Sequence, residues 1–97
     1  MPIYITLLNY TQKGVERIKN APHGLEEAKK VFDEMGGKIR EFYSVMGQYD
    51  AVVISEVPTD DIAAKIALKI VSMGNIRSET MRAYTEDEYR RIIKELP

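Results

Sequence analysis

The stretch Met46-Gly47-Gln48-Tyr49-Asp50 constrains the fold of this chain most, because it joins two strand-like runs through a very short turn. The runs cover residues 38–46 and 49–57, so only Gly47 and Gln48 are left for the turn itself. Glycine at the first central position is typical of a type II′ turn, which requires a positive φ there. The predicted hairpin therefore pairs Met46 with Tyr49, Val45 with Asp50, Ser44 with Ala51 and Tyr43 with Val52.

This register determines which side chains of the hairpin share a face. One face mixes carboxylates with aliphatic and aromatic groups, as the wall of a small-molecule site does: Glu41, Tyr43, Val45, Asp50, Val52 and Ile54. The other face carries Phe42, Ser44, Met46, Tyr49, Ala51 and Val53. The simpler interpretation of Glu41 and Asp50 is that they lie at strand ends in water or pair with Arg77 or Arg82.

The remaining elements are predicted from hydrophobic periodicity and from helix start and stop signals. Enrichment in β-branched and aromatic residues favours strands over residues 3–10 and 76–84. Threonine or proline marks the start of each helix, at Pro22, Thr59 and Thr85, and Thr11 can cap a short turn before the first of these helices. Glycine marks where two of these helices end, at Gly36-Gly37 and Gly74-Asn75.

The resulting order, β-α-β-β-α-β followed by a further C-terminal helix, predicts an α+β protein of the ferredoxin-like arrangement. Right-handed crossovers place the helices on one face of the sheet and leave the other face bare. Several strands are apolar on both faces, and such strands are buried on both sides. We therefore expect a homodimer, or a higher oligomer, in which the sheets face each other around a cavity between or within the subunits.

Length and composition bound the class of protein. The 97 residues are expected to form one domain over residues 1–97. A formal net charge of −1 gives no basic excess for binding phosphates, which argues against nucleic acid as the main partner. There is no cysteine and no apolar run of membrane-spanning length, so we expect a cytoplasmic protein without membrane attachment.

Few other residues could take part in catalysis or ligand binding. His23 is the only histidine, so we expect no metal site, and its position near a helix start is typical of a solvated imidazole. Asn9 and Tyr10 close the first strand beside an expected loop entrance, where a strand end is the more common role. Arg77 and Glu79 share a face of the last strand, where they either form an exposed ion pair or bind a polar ligand.

Several motifs in order resemble the GYD domain family. They are Tyr4 to Thr11, Gly36-Gly37-Lys38, Phe42-Tyr43, the Gly47-Gln48-Tyr49-Asp50 stretch and Gly74 to Thr80, and the resemblance extends from about Tyr4 to Tyr89. It implies a ferredoxin-like subunit related to the dimeric α/β-barrel superfamily. That superfamily includes cofactor-free monooxygenases, lactone isomerases, haem enzymes and ligand-sensing domains, so the resemblance does not select an activity.

Two classes of function stay open. The first is a binding module for a small apolar or aromatic molecule, with ligand contacts drawn from Asn9, Tyr10, Glu41, Tyr43, Asp50, Arg77 and Glu79. The second is a cofactor-free enzyme of the monooxygenase or isomerase type. It would use Asp50 and Tyr43, with His23 as a further candidate, and would require burial to raise the pKa of the carboxyl group. No cofactor is expected in either case.

Overall fold

The computed structural model describes residues 1–97 and contains the predicted elements in the predicted order. The strands are β1 (Ile3–Tyr10), β2 (Lys38–Ser44), β3 (Ala51–Glu56) and β4 (Ile76–Ala83). The helices are α1 (Gln12–Glu16), α2 (Ala21–Glu34), α3 (Asp60–Val71) and α4 (Glu86–Lys94), with a 3₁₀ turn, Ile18–Asn20, before α2. None of the helices combines the length and apolar character needed to cross a membrane.

The four strands form one antiparallel sheet in the order β2-β3-β1-β4. Helices α2 and α3 are the two crossovers and pack against the same face of this sheet. The prediction of a ferredoxin-like α+β fold with an additional C-terminal helix is confirmed.

The helix boundaries follow the signals in the sequence. The side chains of Thr11, Thr59 and Thr85 each accept a hydrogen bond from a backbone N–H in the first turn of the helix that follows. Thr85 and Glu88 form a capping box at the start of α4. Helix α2 is followed by Gly36 with φ of +80°, a conformation that glycine adopts without steric cost.

The β2–β3 connection differs from the predicted two-residue turn. The Val45 N–H donates to the Asp50 carbonyl at 3.0 Å, and this is the last bond of the pairing, so the loop holds four residues, 46–49. The register is nevertheless the predicted one from Tyr43 and Ser44 onward, and Gly47 has the expected positive φ, +116°. A β-bulge at Arg40, which the sequence did not reveal, shifts the register near the start of β2.

The two faces of the sheet have different surroundings. Helices α2 and α3 cover the face that carries the buried side chains of Tyr4, Leu8, Ala51, Val53 and Ser55. The other face, here called the open face, has an apolar centre with no element of the chain over it: Ile3, Ile5, Leu7, Val52, Ile54 and Met81. These side chains are half-buried by their neighbours in the sheet, except Met81, which is exposed.

The core is small and divided. One cluster joins Tyr4 to the inner sides of α2 and α3, and a second lies on the sheet around Leu8, Ala51 and Val53. Only 11 of the 97 residues are buried, which is few for holding a lone subunit together. Helix α4 makes no extensive contact with the other elements, and its apolar side chains Tyr89 and Ile93 are about half exposed, as is Leu96 just after the helix.

Candidate functional site

A cavity of about 190 Å³ lies between the sheet and helices α2 and α3. It separates much of the second core cluster from the helices, and it is partly open to solvent. Its lining is mostly apolar, with contributions from Leu25 and Phe32 of α2, Ile66 and Ile70 of α3, and Leu8 of β1. We call this space the α2–α3 cavity.

The cavity exists because small side chains occupy positions where larger side chains would normally fill the core. The inner sides of the helices carry Gly24, Ala28, Ala63 and Ala67, and a Cβ atom added at Gly24 would meet no atom within 4 Å. The facing strand positions carry short hydroxyl side chains, which contribute little volume: Thr6, Ser55, Ser78 and Thr80. Thr6 and Thr80 lie directly opposite each other, with their hydroxyl oxygens 3.1 Å apart.

One end of the cavity is polar and tightly built. We call it the Asn75 end, and its lining includes Gly14, Arg17, Asn20 and Asn75. The α1 segment is held against the β4 entrance, because the Thr11 N–H donates to the Asn75 carbonyl at 3.0 Å. A Cβ atom on Gly14 would lie 2.1 Å from that carbonyl oxygen, so only glycine fits. The side-chain oxygen Oδ1 of Asn75 is buried and has no hydrogen-bond partner.

The opposite end is closed by Tyr4, which is 4% exposed. Its hydroxyl donates to Asp60 at the start of α3. Burial, followed by this hydrogen bond and the charge of Asp60, raises the pKa of Tyr4 to about 12. The guanidinium of Arg82 lies 5.8 Å from the ring centre of Tyr4 and 4.4 Å from that of Tyr84. Tyr4 is therefore a neutral hydrogen-bond donor at physiological pH.

The predicted Asp50 is tied to the backbone of the sheet. Its carboxylate accepts a hydrogen bond from the Tyr10 N–H at 2.9 Å, and its own N–H donates to the Leu8 carbonyl at 2.9 Å. These bonds extend the β1–β3 ladder beyond its last residue pair. Asp50 and Tyr43, the two residues expected to act together in an enzyme, do not pair, since the Tyr43 hydroxyl donates to Glu41.

Two tyrosine–glutamate pairs lie on the open face. Tyr43 pairs with Glu41, and the Tyr49 hydroxyl donates to Glu79 at 3.0 Å. In each pair the hydrogen bond, followed by the charge of the glutamate, raises the tyrosine pKa. The sequence predicted Tyr49 on the face that carries Phe42 and Val53, and this prediction is wrong. The four-residue loop lets the Tyr49 side chain reach Glu79 on the open face.

The other predicted site residues are dispersed. Asn9 and Arg77 are paired positions of β1 and β4 on the open face, and Arg77 forms an ion pair with neither Asp50 nor Glu79. His23 is exposed on α2, with Nε2 3.6 Å from Oε1 of Glu27 in the same helix. Of the predicted ligand contacts, Tyr10 alone lines the α2–α3 cavity.

Sequence reasoning missed the residues that build the cavity. In the sequence, Asn75 stands out only as part of a helix stop, and no pattern marks Arg17. The available signal was the small side chains, Ala28, Ala63 and Ala67, on the apolar stripes of two helices. Such a stripe also packs closely against a sheet when large residues face it, so it predicts a cavity only once the opposing hydroxyl residues are known.

The topology and the internal cavity define a small ferredoxin-like α+β protein with room for a ligand. The chain belongs to the GYD domain family, whose model matches residues 4–93. It is 27% identical over 84 residues to a Thermus thermophilus protein named glutamine synthetase and cystathionine beta-lyase binding protein. That match covers 86% of this chain and 88% of the relative.

Solved structures share the fold. The protein TTHA0845 from Thermus thermophilus has a TM-score of 0.57 at 20% identity, and the match covers 88% of this chain and 95% of that one. The feast or famine regulatory protein of Mycobacterium tuberculosis, solved in complex with L-methionine, has a TM-score of 0.65 at 16% identity. That match covers 89% of this chain but 54% of the regulator, so the chain corresponds to about half of it.

Proposed function

We propose that this protein is a small-molecule-binding module whose ligand occupies the α2–α3 cavity. The proposal rests on one observation, a mainly apolar cavity of about 190 Å³ whose lining also carries a few polar groups, among them Arg17 and Ser78. Ligand sites combine an apolar lining with a few polar groups in this way, and the present volume, below the usual range of roughly 300–1,000 Å³, suits a small ligand. A regulator of the same fold in complex with L-methionine supports a small organic ligand.

The chemistry of the lining favours binding over catalysis. A cofactor-free enzyme needs a group that can take or give a proton near neutral pH. No aspartate, glutamate or histidine lines the cavity. Tyr4, with its pKa raised to about 12, holds its proton too firmly to fill that role.

Cavity filling tests the proposal. Ala67→Leu places a larger side chain in the cavity, whereas Ala64→Leu places the same side chain on the exposed side of α3. We expect isothermal titration with phenol, indole, 3-phenylpropanol and 3-phenylpropionate to show saturable binding of at least one probe. That binding should be lost in Ala67→Leu and kept in Ala64→Leu. Equal binding to both variants would contradict the proposed site.

We further propose that two copies associate through the open face. The apolar centre of this face extends across β3, β1 and β4, through Ile54, Ile5 and Met81. Because the core of one subunit is small, a second copy covering this centre would add apolar burial. Sedimentation equilibrium at micromolar concentration should then give about twice the chain mass of 11.1 kDa. Ile54→Lys should yield monomers, while Leu68→Lys, at an exposed apolar position of α3, should not. A wild-type monomer would overturn this proposal.

A second candidate function is the binding of a partner protein. The Thermus thermophilus relative is named for binding glutamine synthetase and cystathionine beta-lyase. In the present chain, α4 stands apart with Tyr89 and Ile93 exposed, which is the form of a helix that docks into a groove. Co-elution with purified glutamine synthetase or cystathionine beta-lyase, abolished by Ile93→Asp and retained by Leu68→Asp, would support this function. Absence of co-elution with both enzymes would count against it.

A further inference from the structure

The lining of the α2–α3 cavity carries positive charge and no negative charge. Among its lining residues Arg17 is the only one that carries a charge at neutral pH. A ligand with a positive charge would therefore find no carboxylate in the lining and would meet repulsion from the guanidinium. A ligand with a negative charge would find one partner, located at the Asn75 end.

Arg17 is available for such a partner. The five ion pairs of the chain join other residues, and Arg17 is exposed to solvent. Its backbone is nevertheless fixed, because its N–H donates to the Gly14 carbonyl at 3.2 Å. Gly14 in turn lies against the Asn75 carbonyl, so Arg17 and Asn75 belong to one tightly packed end of the cavity.

The rest of the cavity suits the apolar part of a ligand. The remaining length of the cavity, along Leu8 and Phe32 towards Tyr4, is lined mainly by apolar side chains.

We propose that the cavity selects small organic carboxylates with an apolar body. The carboxylate pairs with the Arg17 guanidinium, which presents donors in a fork that matches its two oxygens. The apolar body extends along the sheet towards Tyr4. This inference rests on the proposed function, since it names the ligand class of the same cavity.

The test compares four molecules of one shape by isothermal titration at low salt: 3-phenyllactate, 3-phenylpropionate, 3-phenylpropanol and 3-phenylpropylamine. We expect both acids to bind at least about tenfold more tightly than the alcohol, which loses the charge-assisted pair, and the amine to bind most weakly. Arg17→Gln should abolish the preference for acids. Arg77→Gln, at an exposed arginine outside the cavity, should leave it intact.

The outcomes separate this inference from the proposed function. Equal binding of the alcohol and the acids, or tighter binding of the amine, would overturn the carboxylate assignment and leave the binding module standing. Preference for acids that survives Arg17→Gln would likewise overturn the role of Arg17. Failure of all four probes, together with phenol and indole, to bind would overturn both.

Discussion

Two glycine-to-alanine substitutions should have opposite effects on stability, although both glycines line the α2–α3 cavity. In Gly14→Ala the new methyl group would lie 2.1 Å from the Asn75 carbonyl oxygen, so the α1 segment must retreat by roughly 1 Å or more to reach an ordinary separation. In Gly24→Ala the methyl group would enter open space. The chemistry of the two changes is identical, and only the packing differs.

The magnitudes follow from what each change does. Moving α1 strains the packing by about 1–3 kcal/mol and weakens the 3.0 Å bond from the Thr11 N–H to Asn75, which contributes about 1 kcal/mol. Gly14→Ala should therefore lower the free energy of unfolding by about 2–4 kcal/mol, or more than about 8 °C in Tm. Gly24→Ala should raise it by about 0.5 kcal/mol, because alanine favours the helix.

The assay is urea unfolding of wild type and both variants, followed by circular dichroism at one protein concentration, since association would make the midpoint concentration-dependent. A Gly14→Ala variant as stable as wild type would show that α1 does not lie against the Asn75 carbonyl. A Gly24→Ala variant that is clearly destabilised would show that α2 packs more closely than the structure indicates. The first result would refute the shape of the Asn75 end, and the second would refute the open space beside Gly24.

Three further changes test the sheet. Asp50→Ala should lower the free energy of unfolding by about 1–3 kcal/mol, because the Tyr10 N–H loses a charged acceptor, and should leave probe binding in calorimetry unchanged. Gly47→Val should destabilise by about 1 kcal/mol or more, since φ is +116° there; an unchanged Tm would contradict the positive φ. Arg40, through a 2.7 Å hydrogen bond, holds the pKa of Glu56 below its ordinary value of 4.5. The Arg40–Glu56 pair therefore stabilises the folded chain fully above about pH 4.5, and this stabilisation is lost as the pH falls through the lowered pKa of Glu56 in the folded chain. Glu56→Gln should accordingly flatten the acid side of a plot of unfolding free energy against pH.

The fold could be predicted because its signals are local. Thr11, Thr59 and Thr85 cap the helices where the sequence places them, and the register at Tyr43 and Ser44 follows from chain geometry alone. The loop at residues 46–49 could not be predicted as precisely. A two-residue and a four-residue loop give the same register for all pairs beyond Val45 and Asp50, so the pattern of side chains does not distinguish them.

The candidate site was harder to predict because it depends on the space left between the sheet and helices α2 and α3. Asp50 stands out in the sequence as a charged residue among aliphatics, yet its carboxylate caps the Tyr10 N–H, a bond that requires β1 and β3 to be side by side. Arg17 is a candidate only because the folded chain places it in the lining of the α2–α3 cavity. Neither contact has a periodicity that a sequence could display.

The most direct test of ligand binding in the α2–α3 cavity is a titration of ¹⁵N-labelled protein with 3-phenylpropionate, followed by amide chemical shifts. Binding in the cavity predicts saturable shifts concentrated on cavity-lining residues such as Leu8, Gly24, Ala67 and Ile76. The same titration of Ala67→Leu should produce no such shifts. Shifts confined to the open face around Val52, or shifts that increase linearly without saturation, would contradict a ligand site between the helices and the sheet.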